Sequence, residues 1–343
     1  MKILIVDVSY LMFRSYFGYP SLTFGEKPVG AFFGFAQAIL QLNIEIKPDL
    51  LILAKDLPTP TWRHKENPNY KAGRSPMEDS MRCQLPDILA WCDHICPNAI
   101  AVDGYEADDI IWTIGSRYLS ENQNQKIQKT DVLKTDFESN LEAKQDFLQK
   151  GKNEVFVFSG DRDLYQLFVH NDVKFVKSDK GKIGYFDKAE FLEKYMVDPL
   201  QWVDYKTLLG DPSDNLAGVK GIGPKTAVKI LSQIGCLANF YQAVGLDASF
   251  FANSLFPAQD LEGFFADPKS QKWVEALCEN YETVKMTYKL ATLSIVSDLL
   301  VSQEKLGWQK GKQLLLDTGF KSLIKYLDKL EIPKTLEEEL GLF

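Results

Sequence analysis

The chain contains 343 residues, of which 45% are hydrophobic and 25% are charged, and its formal net charge is −8. At roughly 150 residues per domain, this length predicts about two domains with a core that needs no disulfide or metal support. Nucleic-acid-binding proteins are usually basic, so any DNA binding must depend on local basic patches. No apolar stretch approaches the roughly 18 residues of a membrane helix, and the apolar N-terminus lacks the cleavage site of a signal peptide. We expect a soluble, cytoplasmic protein.

Four apolar runs predict strands, and acids or a glycine-containing turn follow each of them. The predicted strands are Ile3–Val6, Leu50–Ala54, Ala99–Val102 and Val155–Phe158. Helical patterns such as Ala31–Leu42 and Leu85–Cys92 lie between them. This alternation predicts an α/β fold with a mostly parallel central sheet and helices on both faces. Because ligands bind beyond the carboxyl ends of parallel strands, we expect the acids to converge at one edge.

The rest of the chain divides into a polar insertion and a helical C-terminal part. Residues 118–153 are rich in Gln, Lys, Asn and Asp, which predicts a solvated insertion with one helix near 134–149. Beyond about residue 200 the pattern is helical, and a dense Gly, Asp and Pro segment, GDPSDNLAGVKGIGPKT, occupies residues 210–226. That segment nearly fits a P-loop, but Pro224 intrudes and no strand precedes it, which excludes nucleotide binding of that kind.

The cysteines give little support for a disulfide or zinc site. There are five, an odd number, without the spacing of a disulfide framework, which predicts reduced thiols. Cys92 and Cys96 flank His94 in a spacing that invites a zinc site, but no second ligand pair follows. We prefer to interpret Cys92 and Cys96 as two small apolar thiols that lie one turn apart on a helix. A zinc site is the alternative.

Nine acids stand out because seven follow predicted strand ends and two lie in the Gly-rich segment. They are Asp7, Asp56, Glu106, Asp108, Asp109, Asp161, Asp163, Asp211 and Asp214. Each acid alone is more often a helix cap or a turn residue. Together they would repel one another unless hard divalent cations such as Mg²⁺ or Mn²⁺ neutralised them. Carboxylate-held metals without a His or Cys nucleophile favour phosphodiester chemistry.

Five segments, in this order, resemble the 5′-nuclease family, and most of all the N-terminal 5′–3′ exonuclease domain of bacterial DNA polymerase I. They are MKILIVDVSYLMFRSYF, TWRHKENPNYKAGR, GYEADDI, FSGDRDLYQL and LLGDPSDNLAGVKGIGPKTA. The resemblance extends from residue 1 to about residue 330. It implies that all nine acids belong to a cluster that binds two or more Mg²⁺ or Mn²⁺ ions, and that a helix–three-turn–helix region binds DNA.

The resemblance also implies roles for basic and small residues. Arg63, Lys71 and Arg74 match catalytic cations at the foot of a helical arch near 63–97, where Tyr70 matches a DNA-contacting aromatic residue. From the residues alone, cations interleaved with aromatics suit phosphates and unpaired bases, and a solvated basic loop is the alternative. The hairpin at 218–226 matches a duplex-binding element that holds K⁺ in relatives. Its matching positions are Lys220, Gly221, Gly223, Lys225 and Thr226.

These implications predict an α/β nuclease domain at 1–198, a helix–three-turn–helix DNA-binding domain at 199–300 and a helical extension with a tail at 301–343. The expected activity is hydrolysis of DNA at 5′ flaps, nicks or free 5′ ends, RNA–DNA primers included, in replication and repair. A separate DNA polymerase is the expected partner. A junction-binding protein without activity and a toxin-like ribonuclease are the alternatives, which cleavage assays on a DNA flap and on structured RNA distinguish.

Lys55 departs from the family pattern, and the C-terminal tail resembles a different kind of motif. Lys55 precedes Asp56 where the family usually has an aromatic residue, so it either lowers the pKa of that acid or points away. Glu339–Phe343 resembles peptides that bind the β sliding clamp, although Glu339 stands where those peptides usually open with Gln. Packing of this tail against the protein body is the alternative interpretation.

Overall fold

The structure, a computed structural model, describes residues 1–130, 152–179, 182–251 and 256–330. The predicted helix near 134–149 and the predicted clamp-binding segment at 339–343 lie outside the described residues. Within the described ranges, no helix combines the length and apolar character that a membrane crossing requires.

The central sheet contains six strands. In chain order the strands of the described residues are β1 (Lys2–Asp7), β2 (Thr23–Phe24), β3 (Lys27–Pro28), β4 (Leu50–Ala54), β5 (Ala99–Ile100), β6 (Glu154–Phe158), β7 (Val173–Asp179), β8 (Lys182–Phe186), β9 (Gly210–Asp211) and β10 (Leu216–Ala217). The sheet order is β5-β4-β1-β6-β7-β8, and β8, at one edge, runs antiparallel to β7. The predicted strands are confirmed as β1, β4 and β6, and the strand predicted at Ala99–Val102 is confirmed as the shorter β5. The sequence pattern does not predict β7 and β8, because polar residues interrupt their apolar runs.

Helices account for most of the remaining described residues. In chain order they are α1 (Val8–Gly18), α2 (Gly30–Ile46), α3 (Trp62–Glu66), α4 (Asp79–Arg82), α5 (Leu85–Ile95), α6 (Ala107–Thr130), α7 (Lys188–Tyr195), α8 (Trp202–Leu209), α9 (Pro224–Ile234), α10 (Leu237–Ala243), α11 (Leu261–Ala266), α12 (Gln271–Glu279), α13 (Tyr281–Ala291), α14 (Trp308–Asp317) and α15 (Lys321–Leu330). The two predicted helices are confirmed within α2 and α5. Helix α6 also runs through residues 118–130, where a solvated insertion was expected to begin.

Helices cover both faces of the sheet, as predicted. Leu4 and Val6 of β1 face the side where α1, α2, α5, α14 and α15 pack. Ile3 and Ile5 face the opposite side, where α6 and the C-terminal helices α8 to α10 pack. Because successive side chains of a strand alternate between faces, burial on both faces explains the uninterrupted apolar runs in the sequence.

The helical extension predicted at 301–343 packs, through α14 and α15, against the α/β layer. Trp91 Nε1 of α5 donates a hydrogen bond to the Gly311 carbonyl at 3.2 Å. A Cβ atom at Gly311 would lie 2.4 Å from the Ile95 side chain, so this close helix contact requires glycine. Residues 308–330 therefore complete the layer that supports α2 and α5.

Candidate active site at the carboxyl edge of the sheet

Parallel strands bring acidic segments to one edge of the sheet. In the strand register, Asp7 at the end of β1 pairs with Ala54 of β4, and Val6 pairs with Phe158 of β6. The segments that follow β4 and β6 therefore emerge beside Asp7, as the parallel pattern predicts. Helix α6 begins at the same edge and adds a further acidic segment.

Two acids of this edge are also helix caps. Asp7 accepts hydrogen bonds from the Tyr10 N–H at 2.9 Å and the Ser159 hydroxyl at 2.8 Å, and it caps α1. Asp56 accepts from the Ala107 N–H at the start of α6, at 2.8 Å. Burial raises the pKa of Asp7 to about 7, and repulsion from Asp56 adds to the effect. Capping therefore fixes the positions of Asp7 and Asp56, although the two carboxylates repel each other.

Asp108 contains an oxygen atom, Oδ1, that is shielded from solvent and accepts no hydrogen bond from the described residues. Burial raises the pKa of Asp108 well above its usual range, and the carboxylates of Asp161, Asp7 and Asp56 raise it further. A shielded carboxylate without a donor is unfavourable unless a cation or a proton compensates its charge. Oxygen ligands of this kind fit a hard divalent cation such as Mg²⁺ or Mn²⁺.

The protein's own lysines neutralise part of the acidic edge. Lys71 Nζ lies 2.7 Å from Glu106, and Lys206 Nζ lies 2.9 Å from Asp163. Among the residues that the structure describes, no three acidic, His or Cys side chains are arranged so that they could hold a metal ion by themselves. The acids at this edge that lack a lysine partner repel one another. A bound cation would be needed to bring their oxygens close enough to share it.

Arg63 and Asp109 form a buried bidentate ion pair. Arg63 Nη1 and Nη2 lie 2.8 and 2.9 Å from the two Asp109 oxygens, and the side chains are 2% and 0% exposed. Arg63 Nε donates to the Leu290 carbonyl at 2.8 Å, and Asp109 Oδ1 accepts from the Ser294 N–H at 2.9 Å. These contacts occupy both side chains in this structure, and the roles of Arg63 as a catalytic cation and of Asp109 as a metal ligand stay predictions.

Tyr70 is also buried, with 4% of its surface exposed. Its hydroxyl lies 3.1 Å from Glu106 Oε2 and 3.1 Å from Asp214 Oδ2, and its ring packs with Leu216 and Leu290. Burial raises the pKa of Tyr70, so the hydroxyl stays protonated and donates. In this structure Tyr70 therefore lies between two acids with its ring covered, and its predicted contact with DNA stays a prediction.

Lys71 and Arg74 place cations beside the acids. Arg74 Nη2 lies 2.6 Å from Asp214, and half of the Arg74 side chain is exposed. Lys71 is mostly buried, and its φ of 56° lies in the left-handed region, which costs a non-glycine residue roughly 1–2 kcal/mol. Its N–H donates to the Asp214 carbonyl at 3.0 Å, which fixes this strained turn against the Gly-rich segment.

The segment predicted as an arch near 63–97 has two parts. Residues 62–84 form α3, α4 and turns at the surface beside the acids. Helix α5 belongs to the core, because Ile88 and Trp91 are fully buried against α2 and α14. Helix α5 is therefore not free to contact a substrate, and the arch stays a prediction for the residues before Leu85.

Lys206 is a site residue that sequence analysis missed. Its Nζ also lies 2.5 Å from Asp211. Burial raises the pKa of Asp163 to about 7, repulsion from Asp161 adds to this, and Lys206 opposes it. Although burial acts in the opposite direction, hydrogen bonds from Lys206 and Ser213 lower the pKa of Asp211. The sequence feature that could have identified Lys206 is its position beside the apolar residues at the end of α8, in the segment YKTLLGD.

The hairpin at 218–226 presents a basic turn at the N-terminus of α9. Buried Val219 and Ile222 anchor the turn. Its exposed residues are Lys220, Gly221, Pro224 and Lys225, and its half-buried ones include Gly223 and Thr226. Gly221 has a φ of +87°, and no side chain caps α9 at Gly223. Helix N–H groups between flanking lysines are suited to a phosphate.

The structure also shows where the side chains of Lys55 and the cysteines lie. Lys55 points away from Asp56, because its Nζ lies 2.5 Å from Asp93. All five cysteines are free thiols, as predicted, and Cys92 and Cys96 are buried. Burial raises the pKa of Cys96 to about 12, as expected for an apolar, protonated thiol.

The fold and the site define an α/β protein with acids at the carboxyl edge of a mostly parallel sheet and a basic hairpin before α9. The chain belongs to the 5′-3′ exonuclease family, whose N-terminal resolvase-like domain matches residues 2–136 and whose C-terminal SAM fold matches residues 197–313. The resemblance found in the sequence is thereby confirmed.

Curated relatives include both long and short proteins. The thermostable DNA polymerase I of Thermus thermophilus is 35% identical over 240 residues, 69% of this chain, which spans only 25% of that relative. A 5′-3′ exonuclease of Aquifex aeolicus is 29% identical over 333 residues, 95% of either chain. The chain therefore spans between 22% and 34% of these polymerase relatives and nearly the whole of the Aquifex protein.

Solved structures confirm the fold class. The T5 D15 protein, co-crystallised with metal ions, is 18% identical with a TM-score of 0.59, covering 97% of this chain and 100% of that one. The catalytic core of Rad2 in complex with a DNA substrate is 12% identical with a TM-score of 0.53, covering 96% and 90%. At these identities the likeness shows the fold alone.

Proposed function

We propose that this chain is a structure-specific 5′-nuclease that hydrolyses DNA at 5′ flaps, nicks or free 5′ ends, with Mg²⁺ or Mn²⁺ as cofactor. The observation that carries the proposal is the solvent-shielded Oδ1 of Asp108, which has no hydrogen-bond partner among the described residues and belongs to a carboxylate whose pKa is raised by burial and by three other acids. Membership of the 5′-3′ exonuclease family supports it.

Eight acids are the first candidates to hold two or more cations, and Asp109, the ninth predicted ligand, is paired with Arg63 in this structure. They are Asp7, Asp56, Glu106, Asp108, Asp161, Asp163, Asp211 and Asp214. Cations bound to these oxygens would supply a water of lowered pKa and neutralise charge on the scissile phosphate. The protein itself would hold the carboxylates in position, as the helix-capping hydrogen bonds do for Asp7 and Asp56.

Lys71 and Arg74 would act on the substrate directly. Both cations now pair with acids, and a phosphate entering the edge offers each a stronger acceptor. Lys71 would donate to a non-bridging phosphate oxygen and stabilise the charge that develops on it. Its turn is held by Asp214, so the ammonium is positioned before substrate arrives.

The hairpin at 218–226 would bind the duplex beside the cleavage point. Lys220 and Lys225 would contact phosphates, and the α9 N-terminus would receive one phosphate directly. A K⁺ ion bound by the hairpin would bridge it to the backbone. Contacts to phosphates do not depend on the base sequence, so the enzyme would select its DNA substrate by the shape of the junction.

Cleavage of a 5′-flap DNA and of structured RNA of equal length tests this proposal in one experiment. We expect Mg²⁺-dependent cleavage of the DNA near the junction, leaving a 5′-phosphate and a 3′-hydroxyl. Preferential cleavage of the RNA would favour the ribonuclease alternative. Tight binding of the flap without cleavage would favour a junction-binding protein.

A separate DNA polymerase and a β sliding clamp are the proposed protein partners. The apolar residues of Glu339–Phe343 would enter a hydrophobic groove of the clamp, which would raise the nuclease's concentration at junctions. Deleting 339–343 should abolish clamp binding and leave flap cleavage intact. Equal clamp binding by the full-length and shortened chains, or no binding by either, would contradict this.

A further inference from the structure

One lysine ammonium lies between two acids of the candidate active site that come from different parts of the chain. Lys206 Nζ is 2.9 Å from Asp163 Oδ1 and 2.5 Å from Asp211 Oδ2, and the lysine side chain is 11% exposed. Asp163 follows β6, whereas Lys206 and Asp211 lie on α8 and just beyond its end. The ammonium therefore links the sheet edge to the DNA-binding region.

The position of this ammonium is one where positive charge is required. Asp163 is buried and is repelled by Asp161 and Asp214 in addition to its contact with the lysine. Asp211 receives further hydrogen bonds from the N–H and hydroxyl of Ser213, at 3.0 and 2.6 Å. A single ammonium thus occupies the space between carboxylate oxygens that a hard cation would also prefer.

We infer that Lys206 is an internal counterion of the cation site. It holds the carboxylates of Asp163 and Asp211 in place before a divalent cation binds, and it releases them to the cation that enters. Lys206 is in this sense a positioning residue, because it acts through two acids. The inference rests on the proposed function, since it requires these acids to bind divalent cations.

Two other roles for Lys206 lead to different results. A purely structural ion pair would stabilise the protein equally with and without a divalent cation, and its removal would leave cation affinity unchanged. A lysine that contacts only the scissile phosphate would also leave cation affinity unchanged in the absence of DNA. An internal counterion competes with the cation, so its removal strengthens cation binding.

The test is Mn²⁺ binding to the full chain without DNA, measured from the electron paramagnetic resonance signal of free Mn²⁺. Lys206→Met removes the charge and keeps the length of the side chain, and Lys206→Arg keeps the charge. The matched control is Lys174→Met, because Lys174 pairs with Glu154 at 3.1 Å, at the amino end of β6. Melting temperatures in EDTA and in saturating Mn²⁺ provide a second measurement.

We expect Lys206→Met to bind Mn²⁺ about tenfold more tightly than wild type, since a neighbouring opposite charge changes a carboxylate's proton affinity by about that factor or more. Lys206→Arg and Lys174→Met should stay close to wild type. Lys206→Met should lower the melting temperature more in EDTA than in Mn²⁺. If it does not fold in EDTA, Lys206→Gln replaces it in the same titration.

Unchanged or weaker Mn²⁺ binding by the neutral variant, beside normal binding by wild type, would contradict the counterion role alone. A wild-type chain that binds no Mn²⁺ would instead contradict the proposed function, and this inference with it.

Discussion

Arg63 connects Asp109 on α6 to the carbonyl of Leu290 on α13, with both contacts at 2.8 Å and almost no solvent access. One side chain therefore joins the sheet-edge helix to the C-terminal helical region. Removing one partner of a buried pair leaves the other charge uncompensated, which is more costly than the pair itself is stabilising.

Arg63→Met should accordingly lower the free energy of unfolding by about 3–5 kcal/mol, as measured by urea denaturation in EDTA. Arg82→Met is the control, because Arg82 forms an exposed pair with Asp79 at 3.3 Å. That variant should change stability by less than about 1 kcal/mol. Equal effects of the two substitutions would show that Arg63 is not the structural link described here.

Lys71→Met should reduce turnover on a 5′-flap by about 100-fold or more while changing substrate affinity little, because the ammonium acts on charge that develops in the transition state. Single-turnover rates and binding constants measured on the same substrate separate the two effects. Lys27→Met is a matched control, since Lys27 pairs with Asp87 at 2.6 Å outside the site. A loss confined to affinity would place Lys71 in substrate binding only.

Lys225→Ala should weaken duplex binding and reduce the slope of log affinity against log salt by about one, because one phosphate contact is lost. The control is Lys188→Ala, a half-buried lysine at the start of α7. Binding isotherms at several salt concentrations provide both quantities. If the two variants behave alike, the hairpin is not the duplex-binding element.

The stability of the cation-free protein should depend on pH through Asp7 and Asp163. Their pKa values are raised from the usual 3.8 to about 7, chiefly by burial, so the folded state binds these protons more tightly than the unfolded state. Their contribution is therefore fully favourable below pH 3.8 and is lost as the pH rises to about 7. In EDTA, Asp7→Asn should gain stability over wild type across that interval. If the stabilities of wild type and Asp7→Asn changed with pH in the same way, the pKa of Asp7 would not be raised as described.

The sequence predicted the sheet edge because uninterrupted apolar runs followed by acids are local signals. β1, β4 and β6 each contain such a run, and parallel pairing then places their acids together. The partners of individual side chains were not predictable, because they depend on distant segments. Tyr70 meets Asp214, and Arg63 meets Leu290, across more than 140 residues of sequence. Lys206 was missed for the same reason, since Asp163 is distant in sequence.

The most direct test of the account is Mg²⁺-dependent cleavage of a 5′-flap DNA by wild type, Asp108→Asn and Asp161→Asn, with flap binding measured in parallel. We expect wild type to release the flap in Mg²⁺ and not in EDTA. Both variants should bind the flap normally and cleave it at least about 100-fold more slowly, because each removes an oxygen ligand from the acidic edge. Near-wild-type cleavage by both variants in Mg²⁺ would contradict the central claim that these carboxylates form the catalytic cation site.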